Sequence, residues 1–212
     1  MDIENIIKER KSIRKYLDKK VSFDKIGKIL EAGTYAPSSG NIQNWIFIIV
    51  RDKQKKEDIA IASLKQHWMT SAYAYIIICN NTQKIEKLYG NHSKLYSTQN
   101  CALAAQNMML MAQSLDLATC FVGAFDHNAV SRILKLPFGI IPEIILTLGY
   151  SDEKPIKTPR NSIERVTFFE EYGKKMVDDF SFWPLQKFEK DIKDLREKHS
   201  KKLNEFYKKI KK

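Results

Sequence analysis

Cationic and hydroxyl side chains occupy every second position in a short segment near the N-terminus, at Arg10, Ser12 and Arg14. In an extended chain, side chains two residues apart point to the same side, so these three would face a common partner. A guanidinium presents a planar fork of donors that fits the oxygens of a phosphate. The pattern is typical of a phosphate grip. Taken alone, the segment is better explained as a solvated basic turn, which is the commoner use of a charged run.

A second candidate site is the stretch from Ala36 to Trp45, with the sequence APSSGNIQNW. Proline, serine, glycine and asparagine are the usual turn-forming residues, so an ordinary connection between a helix and a strand explains the stretch well. As a binding loop, it would offer hydroxyls, side-chain amides and backbone N–H groups at the edge of a sheet. The stretch alone leaves both interpretations open.

Other kinds of chemistry find no support in the sequence. The four histidines are scattered, the three cysteines lack metal-ligand spacing, and no Walker, Rossmann or G-x-S-x-G motif occurs. We therefore nominate no catalytic acid or base and no metal ligand. Any chemistry that the protein performs is therefore expected to come from a bound cofactor.

The composition predicts one large domain followed by a basic extension. The 212 residues are 43% hydrophobic and carry a formal charge of +11, and residues 187–212 hold eleven Lys and Arg against five Asp and Glu. Apolar residues from Phe188 to Ile210 recur every three or four positions, which predicts a long amphipathic helix. We place a domain at 1–171 and a basic helical extension at 172–212. The basic face is interpreted as solvated, with nucleic-acid binding the less favoured alternative, because no recognised nucleic-acid module accompanies it.

The cysteines, the N-terminal residues and the length of the apolar runs indicate in which compartment the protein works. Three cysteines in apolar segments predict buried, reduced thiols, as expected in the cytoplasm. The N-terminus lacks the pattern of a signal peptide, and no run of 18 apolar residues predicts a membrane span. We therefore expect a cytoplasmic protein without a membrane partner.

Periodicity and capping residues predict the elements that would position the candidate sites. Helices are expected at 24–33 (with Ser22 as N-cap), 53–64, 98–117 and 127–134 (with Asp126 as N-cap), and strands at 45–50, 74–79, 144–150 and 165–169. Residues 80–97 are expected to form an irregular polar segment that covers a site. Because helices and strands do not alternate strictly, the predicted fold class is α+β.

Three separated pieces of the chain together resemble the nitroreductase family of flavin enzymes. They are the segment from Arg10 to Arg14, the loop 36–45, and Lys157-Thr158-Pro159-Arg160, and the helix 100–117 with the segment 120–125 is also similar. The resemblance covers residues 3–170. It implies a nitroreductase-like fold, with a central mixed or antiparallel sheet flanked by helices in an intertwined homodimer. It also implies FMN at the subunit interface and ping-pong transfer of a hydride from NADH or NADPH to a small acceptor, such as a nitroaromatic or a quinone.

The same resemblance implies which residues contact the cofactor. They are Arg10, Lys11, Ser12, Arg14, Pro37, Ser38, Ser39, Asn41, Gln43, Gly123, Ala124, Lys157 and Arg160. By this likeness the first segment and Arg160 hold the phosphate and ribityl end, with Lys11 acting through its backbone and Lys157 assisting. Arg14 reaches toward the pyrimidine edge. The loop comes from the other subunit, with Gln43 supporting it, and the backbone N–H groups of Gly123 and Ala124 lie beside the reactive flavin nitrogen.

Two departures and two alternatives accompany the resemblance. Asn44 stands where the family commonly has proline, which we expect to loosen the loop, and Lys11 stands in place of arginine. Relatives with flavin-fragmenting or dehalogenating chemistry share the fold, and no residue here singles them out. A non-catalytic flavin- or nucleic-acid-binding protein is the remaining alternative.

Overall fold

The computed structural model of the chain describes residues 2–155 and 158–175. Residues 2–155 belong to one compact unit and residues 158–175 to a second. The predicted helix between Phe188 and Ile210 and the candidate ligand Lys157 lie outside the described residues.

A four-stranded antiparallel sheet forms the centre of the first unit. Its strands are β1 (Trp45–Val50), β2 (Ala74–Asn81), β3 (Ala118–Val122) and β4 (Ile140–Gly149), in the spatial order β1-β2-β4-β3. Every neighbouring pair of these strands is antiparallel. The α+β class is therefore confirmed, and the sheet is of the antiparallel kind.

Seven α-helices accompany these strands in the described residues. They are α1 (Ile3–Glu9), α2 (Phe23–Thr34), α3 (Lys53–Ala62), α4 (Thr82–Tyr89), α5 (Ser93–Ser114), α6 (His127–Leu134) and α7 (Ile163–Val166). The predicted N-caps are confirmed, since Ser22 Oγ accepts from Lys25 N at 3.4 Å and an Asp126 carboxylate oxygen from Ala129 N at 3.0 Å. These caps satisfy backbone donors that the first turn of a helix leaves without partners.

The core lies on both faces of the sheet, as the continuous apolar run of β2 predicts. Side chains at even positions of β2, such as Ile76 and Ile78, pack with residues of α2 and α5. Those at odd positions, such as Tyr75 and Ile77, pack with residues of α3 and α6. The period of two along a strand thus divides the apolar side chains between two layers.

The central helix α5 packs closely against α2. Gly33 of α2 lies against Met108, and a Cβ atom at position 33 would overlap that side chain. Gly27, on the exposed face of the same helix, has open space around it. The two glycines therefore differ in purpose, since only Gly33 is required by close packing.

The three cysteines are free and buried, as predicted. Burial raises the pKa of the Cys79 thiol to about 12 and also raises the pKa of the Cys101 thiol. Within the described part of the chain, no helix is both long and apolar enough to cross a membrane.

Two predicted segments are wrong. Residues 80–97 are mostly helical, since β2 leads into α4, a 3-10 turn spans Gly90–His92, and α5 begins at Ser93. The only buried side chain of α4 is Ile85, so its apolar stripe is too short to be recognised in the sequence. Residues 165–169 do not form a strand, because Ile163–Val166 is a single helical turn and the described residues 158–175 contain no strand to pair with them.

Candidate cofactor site

The alternating segment at the N-terminus is extended and lies beside β3. Ser12 forms a parallel bridge with Thr119, and Ile13 N donates to Thr119 O at 3.0 Å. Ile13 is buried, whereas Ser12 and Arg14 are exposed and Arg10 is half-buried. The even-numbered side chains therefore share the face opposite the core, as the sequence pattern predicts.

Arg10, Ser12 and Arg14 all influence the thiol of Cys120 in β3. Burial raises the pKa of this thiol, while the Arg14 charge, a hydrogen bond from Ser12 and the Arg10 charge each act to lower it. Each of these groups is close to the thiol, because such interactions act over a few ångströms. The three side chains therefore all lie in the neighbourhood of this thiol.

Lys11 points to the other side of this segment. Its Nζ donates to Pro155 O at 3.4 Å, and its side chain lines a separate cavity of about 460 Å³ with Ile13 and Gln113. A contact of Lys11 with a ligand on the Arg10 side would therefore have to use its backbone.

Glu153 fastens the extended segment to the loop that follows β4. One carboxylate oxygen accepts from Arg14 N at 3.0 Å and from Lys15 N at 2.9 Å, while Ser151 Oγ donates to Lys15 O at 2.6 Å. The Arg14 guanidinium lies 5.7 Å from the ring centroid of Trp68, within range of a cation–π contact. The sequence prediction missed Glu153 and Trp68, since neither belongs to a pattern that marks a site.

Gly123 and Ala124 directly follow β3 and are both exposed. A Cβ atom at Gly123 would meet only the Phe121 ring, at an ordinary contact distance of 3.5 Å. The backbone of this turn is therefore accessible to a ligand that approaches the C-terminal end of β3.

The loop after α2 is held in shape by its own polar groups. Residues Ser39–Asn41 form one 3-10 turn, and Gln43 N donates to Ser38 Oγ at 3.1 Å while Gln43 Nε2 donates to Asn41 Oδ1 at 2.9 Å. Gly40 has φ +57° and Asn41 has φ +55°, a left-handed conformation that glycine and asparagine adopt with little strain. Pro37 is exposed and Ser38 is half-buried, so the loop presents polar groups at the surface.

Asn44 does not loosen this loop. Its side chain is 0% exposed, accepts from Asn100 Nδ2 at 2.7 Å and donates to Asn80 Oδ1 at 2.8 Å. Where proline would fix the backbone, asparagine connects the loop to β2 and α5 through buried hydrogen bonds. We expected the opposite because asparagine is usually a turn residue.

The two halves of the predicted site lie at opposite edges of the sheet. The loop 36–44 leads into β1 and contacts Asn100 in α5, whereas the Arg10–Arg14 segment lies beyond β3. Lys11 and Gln113 line one cavity, and Gln113 is 13 residues beyond Asn100 on α5. At a rise of 1.5 Å per residue, these contacts are about 20 Å apart along the helix. The first unit therefore does not unite the two halves.

Arg160 belongs to the second unit. Its Nη1 donates to Thr158 Oγ1 at 2.7 Å, so its described hydrogen bonds are local.

The comparisons with known proteins agree on the family. The Nitroreductase family model matches residues 7–66 and 60–150. An FMN reductase (NAD(P)H) of Bacillus subtilis is 29% identical over 178 residues, which cover 77% of this chain and 72% of that protein. This chain belongs to the nitroreductase family.

Solved structures support the same assignment. Bacillus megaterium NfrA1 is similar with a TM-score of 0.76 and 29% identity, over 80% of this chain and 74% of that one. An FMN-dependent nitroreductase from Clostridium difficile R20291 has a TM-score of 0.69 and 27% identity, over 80% of this chain and 99% of that one. The nitroreductase-like fold is therefore confirmed.

Proposed function

We propose that this protein is an FMN-dependent NAD(P)H oxidoreductase that works as a homodimer. The similar proteins include an FMN reductase (NAD(P)H) and an FMN-dependent nitroreductase. The observation that supports this most strongly is the distribution of the site. One half lies beside β3 and the other precedes β1, so two subunits in a symmetric pair would complete each site.

The residues beside β3 suit the phosphate and ribityl end of FMN. Arg10, Ser12 and Arg14 present two guanidinium groups and a hydroxyl on one face of the extended segment, which suits the charge and the oxygens of a phosphate monoester. The salt bridges among the described residues involve other side chains than these two arginines. Arg160 and Lys157 would add positive charge at the phosphate, as the family resemblance implies.

The loop after α2 would approach the same cofactor from the partner subunit. Pro37, Ser38 and Ser39 would lie near the ribityl chain and the ring, and Asn41 would meet the polar edge of the ring. Gln43, bonded to Asn41 in this structure, would hold the loop in shape.

Bound FMN would accept a hydride from NADH or NADPH and pass it to a small acceptor, such as a nitroaromatic or a quinone. Arg14 would stabilise negative charge at the pyrimidine edge, since a cation lowers the energy of nearby negative charge. Gly123 and Ala124 would donate backbone N–H groups and leave space beside the ring, because neither carries a bulky side chain. No side-chain acid or base is assigned.

Three further expectations form part of the proposal. We propose a flavin-binding domain at 1–171, a basic helical extension at 172–212 that stabilises the dimer, and a cytoplasmic location. Removal of the extension after residue 172 is expected to weaken the dimer, which light scattering measures. An unchanged dimer would refute a role for the extension in assembly.

Titration of the purified protein with FMN tests the phosphate grip. We expect Arg10→Ala to weaken binding by about 10- to 100-fold, the effect of losing a hydrogen bond to a charged group of about 1.5–3 kcal/mol. Lys8→Ala is the control, because Lys8 is a cation two positions away that pairs with Glu4 on the surface of α1. Equal affinities in Arg10→Ala and Lys8→Ala would contradict the assignment.

A further inference from the structure

Three asparagine side chains form a buried chain of amides beneath the loop after α2. Asn44 is 0% exposed, Asn80 is 1% exposed and Asn100 is 2% exposed. They lie directly before β1, near the end of β2 and in α5, so they cross from one layer of the fold to the next. Buried amides need partners, because an unpaired one costs about 1–3 kcal/mol.

The hydrogen bonds that link the members of this chain of amides run in one direction, toward the Glu143 carboxylate. Ser39 donates to Asn100 Oδ1 through its backbone N–H at 3.0 Å and its hydroxyl at 3.3 Å. Asn100 Nδ2 donates to Asn44 Oδ1 at 2.7 Å, and Asn44 Nδ2 donates to Asn80 Oδ1 at 2.8 Å. Asn80 Nδ2 then donates to Glu143 Oε1 at 3.1 Å and to Ser97 Oγ at 2.8 Å, and Asn44 Nδ2 also donates to Ser97 O at 3.4 Å.

Glu143 and Ser97 together determine this direction. Ser97 Oγ donates its own hydrogen to Lys94 O at 3.0 Å, so toward Asn80 it acts as an acceptor, and Glu143 is the charged one of the two acceptors. A carboxylate only accepts hydrogen bonds, so Asn80 must turn its NH₂ group toward Glu143 and its oxygen toward Asn44. The orientation of Asn80 in turn fixes the orientations of Asn44 and Asn100, because each side-chain amide has one accepting oxygen and one donating NH₂ group. Hydrogen bonds arranged head to tail also polarise each other, which strengthens the whole chain.

At the other end, the chain determines what Ser39 offers to a ligand. Both of its donors are directed inward to Asn100, so its hydroxyl oxygen has only lone pairs for an outside partner. A partner at this position must therefore be a hydrogen-bond donor. The ribityl hydroxyls and the ring N–H of FMN are donors of this kind.

We propose that Glu143 is a positioning residue for the cofactor loop, which acts through Asn80, Asn44 and Asn100 to hold Ser39 as an acceptor for a donor group of FMN. This inference rests on the proposed function, since it takes FMN as the ligand. Glu143 also lines a cavity of about 550 Å³ between α4, α5 and the sheet. From this cavity, the Glu143 carboxylate would orient Ser39 in the loop after α2 without contacting that loop.

Amide hydrogen exchange in the absence of FMN tests the chain directly. We expect the Ser39 N–H to exchange about tenfold faster in Glu143→Met than in the wild type, because the chain of amides loses its charged acceptor and keeps only the neutral Ser97 hydroxyl at that end. Glu143→Gln retains an accepting oxygen and should restore slow exchange. The control is Glu86→Met, the same substitution at an exposed carboxylate that lines the same cavity. Unchanged Ser39 exchange in Glu143→Met would overturn the inference.

A double-mutant cycle on FMN affinity tests the role toward the ligand. Glu143→Met should weaken FMN binding about tenfold when Ser39 is present and by less than about twofold in Ser39→Ala. A purely structural role would weaken binding equally in both backgrounds, and that result would overturn the inference. If Glu143→Met does not fold, Asn44→Asp replaces it, since an aspartate there still accepts from Asn100 and no longer donates to Asn80.

The two proposals fail in distinguishable ways. If the wild-type protein does not bind FMN, the proposed function fails, and the assignment of Ser39 as an acceptor for FMN fails with it. The exchange of the Ser39 N–H still decides whether Glu143 orients the loop. If the wild type binds FMN and the cycle shows no coupling, only the positioning role is overturned.

Discussion

Complementation between two damaged subunits tests whether each flavin site is shared across a dimer. Arg10→Ala removes a cation from the half-site beside β3, and Ser39→Leu removes a hydroxyl from the loop before β1. These half-sites are about 20 Å apart along α5, from the 13-residue separation of Asn100 and Gln113. Because the half-sites of one subunit are this far apart, a single ribityl chain would contact one half-site from each of two subunits.

The expected magnitudes follow from this geometry. Each variant alone forms dimers in which both sites carry one lesion, and we expect Arg10→Ala to lose about 10- to 100-fold in FMN affinity. In a heterodimer of the two variants, one site carries both lesions and the other carries none. About half of all sites should therefore bind FMN with wild-type affinity.

The assay requires pure heterodimers, obtained by co-expressing the two variants with different affinity tags and purifying through both. Calorimetric titration with FMN then gives the affinity and the number of sites. One wild-type site per heterodimer is the expected result. If each site lies within a single chain, every site keeps one lesion, and the absence of any wild-type site would refute the shared geometry.

The remaining predictions concern the support of the site and the stability of the fold. Glu153→Ala should lower the free energy of unfolding by about 1–2 kcal/mol and weaken FMN binding, because two backbone N–H groups lose a charged acceptor, whereas Asp152→Ala should change neither. Urea unfolding should show that Gly27→Ala stabilises the protein by about 0.5–1 kcal/mol, because alanine has the higher helix propensity. Gly33→Ala should destabilise it by about 1–3 kcal/mol, because the added Cβ overpacks against Met108. Equal effects of the two substitutions would contradict the packing described. Burial raises the pKa of Cys79 to about 12, whereas the ordinary pKa of a thiol in the unfolded chain is about 9. Between pH 9 and 12 the folded state therefore keeps a proton that the unfolded state has lost. The free energy of unfolding should fall over this range by about 1.4 kcal/mol per pH unit from this thiol. Cys79→Ala should show a correspondingly smaller pH slope, and an equal slope would argue against a buried neutral thiol.

Much of the fold was predictable where local signals and packing agree. The α2 and α6 helices begin at the predicted caps, Ser22 and Asp126, because these side chains satisfy backbone donors of their own first turns. The apolar run of β2 predicted burial on both faces correctly. These features depend on contacts within a few residues or on hydrophobicity alone.

The errors occurred where tertiary contacts decide. Helix α4 buries only Ile85, so its periodicity is weak, and its polar residues suggested an irregular segment. The five residues 165–169 are predicted to form a strand, although a strand needs a partner edge that local sequence does not reveal.

The candidate site was predictable in part. The alternation of Arg10, Ser12 and Arg14 correctly indicated an extended segment with a common face. Glu153 and the chain from Asn44 to Glu143 could not be predicted, because their partners lie far away in the sequence and asparagine ordinarily indicates a turn. Long-range hydrogen bonds of this kind appear only once the fold is known.

Anaerobic reduction of the FMN-loaded protein by NADH or NADPH tests the central claim most directly. The proposed oxidoreductase predicts that one of these donors bleaches the flavin absorbance, and that a nitroaromatic or a quinone added afterwards restores it. A purified protein that binds no FMN, or whose bound flavin stays oxidised with both donors, would contradict the account.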